Sequence, residues 1–189
     1  MANSAAEELV KLKPDVSANW LYRAHSQAHI GAIRAARESL RNAMRDAIPE
    51  TSVYLTVKAD VHFLLGENQQ ALVAYDRALV VDNQYKPAML GKASLLTSCS
   101  EVKYRDIKLA VALVQTCQES TKRKLGFEHY RHYQILADAE ANRGNFEEAL
   151  RLAKKSIELA GHDRDVSELR ERIRLFETKK PFRYVVPSE

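Results

Sequence analysis

Residues 66–82 read Gly66-Glu67-Asn68-Gln69-Gln70-Ala71-Leu72-Val73-Ala74-Tyr75-Asp76-Arg77-Ala78-Leu79-Val80-Val81-Asp82. A glycine that can end one helix opens a second one, which carries small residues at Ala71 and Ala78 on a single face. The same pair recurs as Ala36 and Ala43, Ala110 and Cys117, and Ala149 and Ser156. Upstream of each lies a large apolar residue followed four positions later by Ala: Trp20 and Ala24, Leu55 and Ala59, Met89 and Ala93, Tyr133 and Ala137. The leading small residues are spaced by 35, 39 and 39 positions. Periods of this size mark helical hairpins that bury one face alone and must stack to complete a core. Small residues suit the closest approach of two helices, about 8–10 Å between axes, where a larger side chain has no room.

Helix signals dominate elsewhere, and no run alternates apolar and polar residues long enough for a sheet. Residues 4–12 read as a short amphipathic helix stopped by Pro14. Helices at 17–30 and 32–47 form the first pair, with Gly31 at the joint and Pro49 after the end. The second pair is 52–65 and 69–81, and the fourth is 128–142 and 146–160, joined by Gly144-Asn145 and closed by Gly161. The third is stretched: a helix at 87–98, a loop Ser100–Tyr104, a helix at 105–120, then a basic loop Thr121-Lys122-Arg123-Lys124. A last helix over about 164–178 precedes an irregular tail, 179–189.

Composition limits the function classes. With 46% hydrophobic and 29% charged residues the chain has the balance of a folded protein. A net charge of +4, concentrated after residue 150, is too mild to argue for nucleic acid alone. The start MANSAAEELVKLK shows no basic stretch followed by an apolar run, and no segment has the roughly 18 apolar residues of a membrane span. Cys99 and Cys117 read as small packing residues of a reducing compartment, so a cytoplasmic location is expected, with no membrane association.

The pattern resembles the tetratricopeptide repeat (TPR), whose usual length is 34. The stretch 66–82 carries that family's glycine turn, its small–aromatic–small series and its closing acidic residue. Leu136-Ala137 with Gly144-Asn145-Phe146-Glu147-Glu148-Ala149 is a second close match. The first copy has Leu40 where the family places an aromatic. The resemblance implies an all-α, right-handed superhelical solenoid of about four hairpins with terminal capping helices. On that reading residues 1–16 are an N-terminal cap or the remnant of a preceding repeat, and 17–163 hold four repeats (17–51, 52–85, 86–129, 130–163). Residues 164–178 form the C-terminal cap and 179–189 the tail. Lys103-Tyr104-Arg105-Asp106 and Glu168–Ile173 followed by Lys180-Pro181-Phe182-Arg183 are similar to TPR segments of larger bacterial proteins.

The same resemblance implies a protein–protein interaction module, adaptor or scaffold, that takes a peptide or partner protein in a concave groove lined by first helices. Residues not needed for hairpin packing then face the groove: His25, Asp60, Phe63, Ser94, Thr97, Gln134, Asp138 and Asn142, with Leu21, Thr56 and Leu90 beside them. Chaperone adaptors of the family grip a C-terminal carboxylate with Lys, Arg and Asn. The matching slots hold Leu21, His25, Val57, Pro87 and Gly91, so that clamp is not expected.

Other constellations carry less. His25 and His29 share a helix face but lack a third ligand, and His129 and His132 read as a partly exposed helix face. Arg34, Arg37, Arg41 and Arg45 form a basic stripe with only Glu38 among them. That stripe and the basic tail raise the alternative of a nucleic-acid-binding or regulatory repeat module attached to a larger enzyme. Aromatics do not interleave with the arginines, which argues against nucleic acid. No phosphate loop, nucleophile elbow or paired carboxylates are recognisable, so no enzyme, cofactor or metal is expected. The partner stays unnamed, and self-association through an incomplete first unit stays open.

Overall fold

The computed structural model describes residues 2–45, 50–125, 129–161 and 166–188, with side chains from residue 4 onward except at 121–125. Among them are ten α-helices: α1 (Ala2–Leu12), α2 (Ser17–His29), α3 (Ile33–Ala43), α4 (Ser52–Leu64), α5 (Asn68–Val81), α6 (Lys86–Ser98), α7 (Ile107–Leu125), α8 (Tyr130–Asn142), α9 (Phe146–Ala160) and α10 (Ser167–Glu177). A 3₁₀ turn spans Val102–Tyr104. No strand occurs among the described residues; Cys99 and Tyr184 form an isolated parallel bridge. The fold is therefore all-α. The expected helix positions at 46–47, 128 and 164–165, together with Pro49, lie outside the described residues.

One expectation is corrected. The basic stretch Thr121–Lys124 is not a loop but the last turns of α7, which continues to Leu125. Lys and Arg are good helix formers, and cations are favoured near a helix C-terminus, where unsatisfied carbonyls carry partial negative charge.

The hairpin turns have a common cause. Gly31, Gly66 and Gly144 each take a left-handed backbone, with φ of 77°, 77° and 85°. At each, the next residue's N–H reaches back five positions: Ala32 to Gln27 O at 2.9 Å, Glu67 to His62 O at 2.8 Å, and Asn145 to Glu140 O at 2.9 Å. This bond pattern satisfies carbonyls that the helix end leaves open, and glycine enters the left-handed region without a Cβ penalty. Side chains reinforce two of the turns: His62 Nδ1 lies 2.6 Å from Glu67 Oε2, and Asn145 Nδ2 donates to Glu140 Oε2 at 2.7 Å.

The chain divides into two compact units, Met1–Gly91 with Val185–Glu189, and Lys92–Tyr184. In the first, α2 packs along α3, α4 along α5, and α2 also meets α1 and α4. Trp20 Nε1 donates to Pro14 O at 2.7 Å, and Asn19 Nδ2 donates to Leu9 O and Lys13 O, which fixes α1 to the start of α2. Tyr54 OH donates to Ala43 O at 3.1 Å and ties α4 to the end of α3. In the second unit, α8 packs along α9, α7 on α8, and α10 on α9. Phe176 of α10 completes a cluster with Ala137, Ala141, Ala149, Leu152 and Ala153.

The small residues that define the repeat are where packing is tightest. Ala24, Ala36, Ala43, Ala59, Ala71, Ala78, Ala93, Ala110, Cys117, Ala137, Ala149 and Ser156 are all at 0% exposure. Ser156 stands in an alanine position because its hydroxyl has a partner, donating to Tyr130 O at 2.9 Å. Cys99 and Cys117 are both buried, and neither forms a disulfide.

Candidate functional site

In the first unit α2 and α4 bring His25 and Asp60 together. His25 Nε2 lies 4.0 Å from Asp60 Oδ2, with the two side chains 32% and 33% exposed. The other Asp60 oxygen accepts from Tyr75 OH of α5 at 2.5 Å. Tyr75 is itself buried, and its ring abuts Gly91: a Cβ there would come within 2.6 Å of Tyr75 Cε1. Asp60 is thus held from below by a packed tyrosine and presents its outer oxygen toward His25. Phe63, one turn along α4, is half-buried. Tyr85 belongs to the same neighbourhood: burial pushes its hydroxyl above the usual tyrosine range, as do nearby Tyr22, Asp60 and Asp82. Of the wider group, Leu21 and Thr56 are buried, the Thr56 hydroxyl donating to Ser52 O at 2.7 Å.

The second unit treats its candidates differently. Asp138 is fully buried, and Arg172 of α10, 2% exposed, donates from Nε to both carboxylate oxygens at 3.1 Å. Burial raises the Asp138 carboxyl above the usual range, against the opposing pull of Arg172. Arg172 Nη1 also donates to Glu168 O at 3.3 Å. Thr97 is buried too, its hydroxyl turned back to Ala93 O at 3.1 Å. Asn142 donates to Thr97 O at 3.0 Å and to Asp138 O at 2.7 Å. Asp138 and Thr97 were expected to line an open groove; the structure gives their side chains to internal partners. Ser94 and Gln134 remain half-buried; Leu90, which belongs to the first unit, is buried.

Asp138 takes its partner from α10, and the segment after α10 packs on the same residues. Past α10 the chain turns at Lys179, φ 55°, with Lys179 N–H donating to Phe176 O and Lys180 N–H to Leu175 O. This reproduces the hairpin-turn geometry with a lysine where the repeats use glycine. The Phe182 ring then stacks on Arg172, whose guanidinium carbon is 3.7 Å from the ring centroid. Arg183 Nη2 donates to Asn142 Oδ1 at 2.8 Å and Nη1 to Thr97 O at 3.3 Å. Tyr184 N–H donates to Ser98 O at 2.8 Å. The segment expected as an irregular tail packs in this way over 182–184, and the local signal for it is Phe182-Arg183-Tyr184, an aromatic–cation–aromatic run five residues past the end of α10.

Among the remaining features, the His25 and His29 rings meet edge-on at 4.6 Å. His132 is buried rather than partly exposed, and His129 caps α8 by accepting from Arg131 N–H at 3.3 Å. Among the described residues no group of three or more His, Cys, Asp or Glu side chains is placed to hold a metal ion. Nor is any described helix long and apolar enough to cross a membrane. Arg34, Arg37, Arg41 and Arg45 are all exposed, and Arg37 Nε lies 3.7 Å from Glu67 Oε1. An open depression at the start of α9 is bordered by Glu147, Glu148, Arg151 and Lys179. Glu148 is bonded there to Arg151 at 2.6–2.7 Å, which leaves mixed charge and no single-sign site. No protein-family model matches the chain, and no curated protein matches it.

Proposed function

We propose that the chain is a TPR-type superhelical array that serves as a protein–protein interaction module, binding a peptide or partner protein through the first helices of its hairpins. The observation that carries this reading is the His25–Asp60–Phe63 surface on α2 and α4. The hairpins pack through small residues at 0% exposure, while that polar–aromatic surface stays partly open. His25 and Asp60 offer a donor and an acceptor, and Phe63 an apolar contact, spaced along successive first helices as an extended peptide or partner helix requires. The array acts as an adaptor, scaffold or recognition part of a larger assembly. Capture of partners from lysate by the wild-type chain, compared with His25→Ala, Asp60→Asn and Phe63→Ala, tests it. Loss of the same captured protein in all three variants is expected; capture that survives all three removes the groove reading.

A second reading is favoured by the exposure of Arg34, Arg37, Arg41 and Arg45. That stripe would contact nucleic acid, and affinity would then fall steeply as salt rises. A flat salt response, or no binding at low salt, eliminates it.

A further inference from the structure

The tail segment Phe182–Tyr184 is held in the second unit by the means that proteins use to hold a bound peptide. Its three residues are read by three different devices. The Phe182 ring is read by the face of a buried guanidinium, 3.7 Å from Arg172. Arg183 is read by Asn142 Oδ1 at 2.8 Å and by Thr97 O at 3.3 Å. The Tyr184 backbone is read by Ser98 O at 2.8 Å, next to the parallel bridge with Cys99. Thr97 and Ser98 end α6, where carbonyls lack intrahelical partners and carry partial negative charge, so a cation and an N–H are the groups that belong there. Asn142 ends α8 and is oriented in advance by its own bonds to Thr97 O and Asp138 O. Arg172 is likewise oriented by Asp138, whichever aromatic lies on it. The receiving groups are therefore locked by the fold, while the segment they receive is extended and enters through a left-handed lysine, a conformation that L-residues rarely adopt.

We propose that Arg172, Asn142 and the Thr97 and Ser98 carbonyls form a binding site for an extended peptide that carries an aromatic–Arg pair and is held at the next residue by its backbone N–H, and that the chain's own Phe182-Arg183-Tyr184 is its exchangeable occupant in cis. The site belongs wholly to the second unit, and the proposal does not rest on the reading of the His25–Asp60–Phe63 surface. In cis the tail competes at an effective concentration of order millimolar, so a peptide in trans binds well only when the tail is weakened.

The test uses the full chain and a fluorescein-labelled peptide of residues 179–188. Fluorescence anisotropy should show at least tenfold tighter binding to a Phe182→Ala/Arg183→Ala chain than to the wild type. A peptide carrying Arg183→Ala should lose at least tenfold on that variant. Equal affinity for the two chains, with the variant folded by circular dichroism, overturns the proposal. Hydrogen exchange on the wild-type chain decides the matter even if the variant fails to fold. An exchangeable tail requires the Tyr184 amide to exchange at least 100-fold faster than the interior amides of α8, through local opening. Exchange of Tyr184 at the α8 rate would make the tail a fixed part of the core and overturn the proposal.

Discussion

The two units start from the same repeat and treat equivalent positions in opposite ways. On α4, Asp60 is a third exposed, with one oxygen held by Tyr75 and the other directed toward His25. On α8, Asp138 is fully buried against Arg172. Both are acids on first helices of hairpins with the same buried alanine stripe. What separates them is α10 and the segment after it, which bring Arg172, Phe182 and Arg183 to the second unit. The repeat sets where a side chain is placed; the element packed over it sets whether that side chain binds a partner or closes a core.

The sharpest way to break this comparison is to remove one half of the buried pair. Asp138→Ala or Arg172→Met should each cost about 3–5 kcal/mol, because either leaves an uncompensated buried charge. The double Asp138→Leu/Arg172→Met should recover most of the loss. Urea unfolding midpoints measure both, and a single-variant cost below about 1 kcal/mol would show that the second unit does not depend on the pair. Asp60→Asn in the first unit, where the carboxylate is partly solvated, should cost much less.

Gly91→Ala probes the support beneath Asp60. The new Cβ would lie 2.6 Å from Tyr75 Cε1 and 2.7 Å from its hydroxyl, so the ring must move. A loss of about 1–3 kcal/mol is expected, as for other overpacked sites. An unchanged thermal midpoint would mean that Tyr75 is free to shift and does not fix Asp60.

The turn residues give a smaller contrast. Lys179→Gly should stabilise by up to ~1 kcal/mol, since glycine removes the left-handed strain but adds freedom to the unfolded chain. Gly66→Ala should do the reverse, its φ of 77° being compounded by a Cβ 2.8 Å from Val186 Cγ2. Equal midpoints for Lys179→Gly and wild type would show that the tail turn carries no such strain.

The smallest effect is a pH slope confined to the first unit. Burial holds the His62 imidazole below its ordinary value, with Lys58 acting the same way and Glu67 opposing. The unfolded chain therefore binds the proton more readily than the folded one. This stability is complete above the ordinary histidine value of about 6.5 and is lost as pH falls through it toward the folded value. His62→Gln should flatten the decline in unfolding free energy between about pH 7 and 5. A slope as steep as that of the wild type would assign the decline to other groups.

Much of the fold was legible because its causes are local. A glycine in the left-handed region ends a helix whatever packs on it, and a small residue every seven positions marks one helix face. Gly66, Ala71 and Ala78 therefore announced their turn and helix directly. The stretch Lys122–Lys124 belongs to the end of α7 rather than to a loop, which its charge by itself does not indicate. The candidate site was half legible. The resemblance pointed to His25 and Asp60 as groove residues without pairing them, and nothing local to Asp138 indicates Arg172, 34 positions away.

By itself, then, the sequence determined that this chain is helical, where its hairpins turn and which small residues meet at their crossings, since each depends on bonds within a few residues. Only the tertiary structure decided that Asp138 and Thr97 belong to the interior, that Tyr75 holds Asp60, and that Phe182-Arg183-Tyr184 packs on Arg172, Asn142 and the end of α6. Those outcomes depend on which distant element removes water from a polar group and supplies its partner, and no local periodicity encodes that choice.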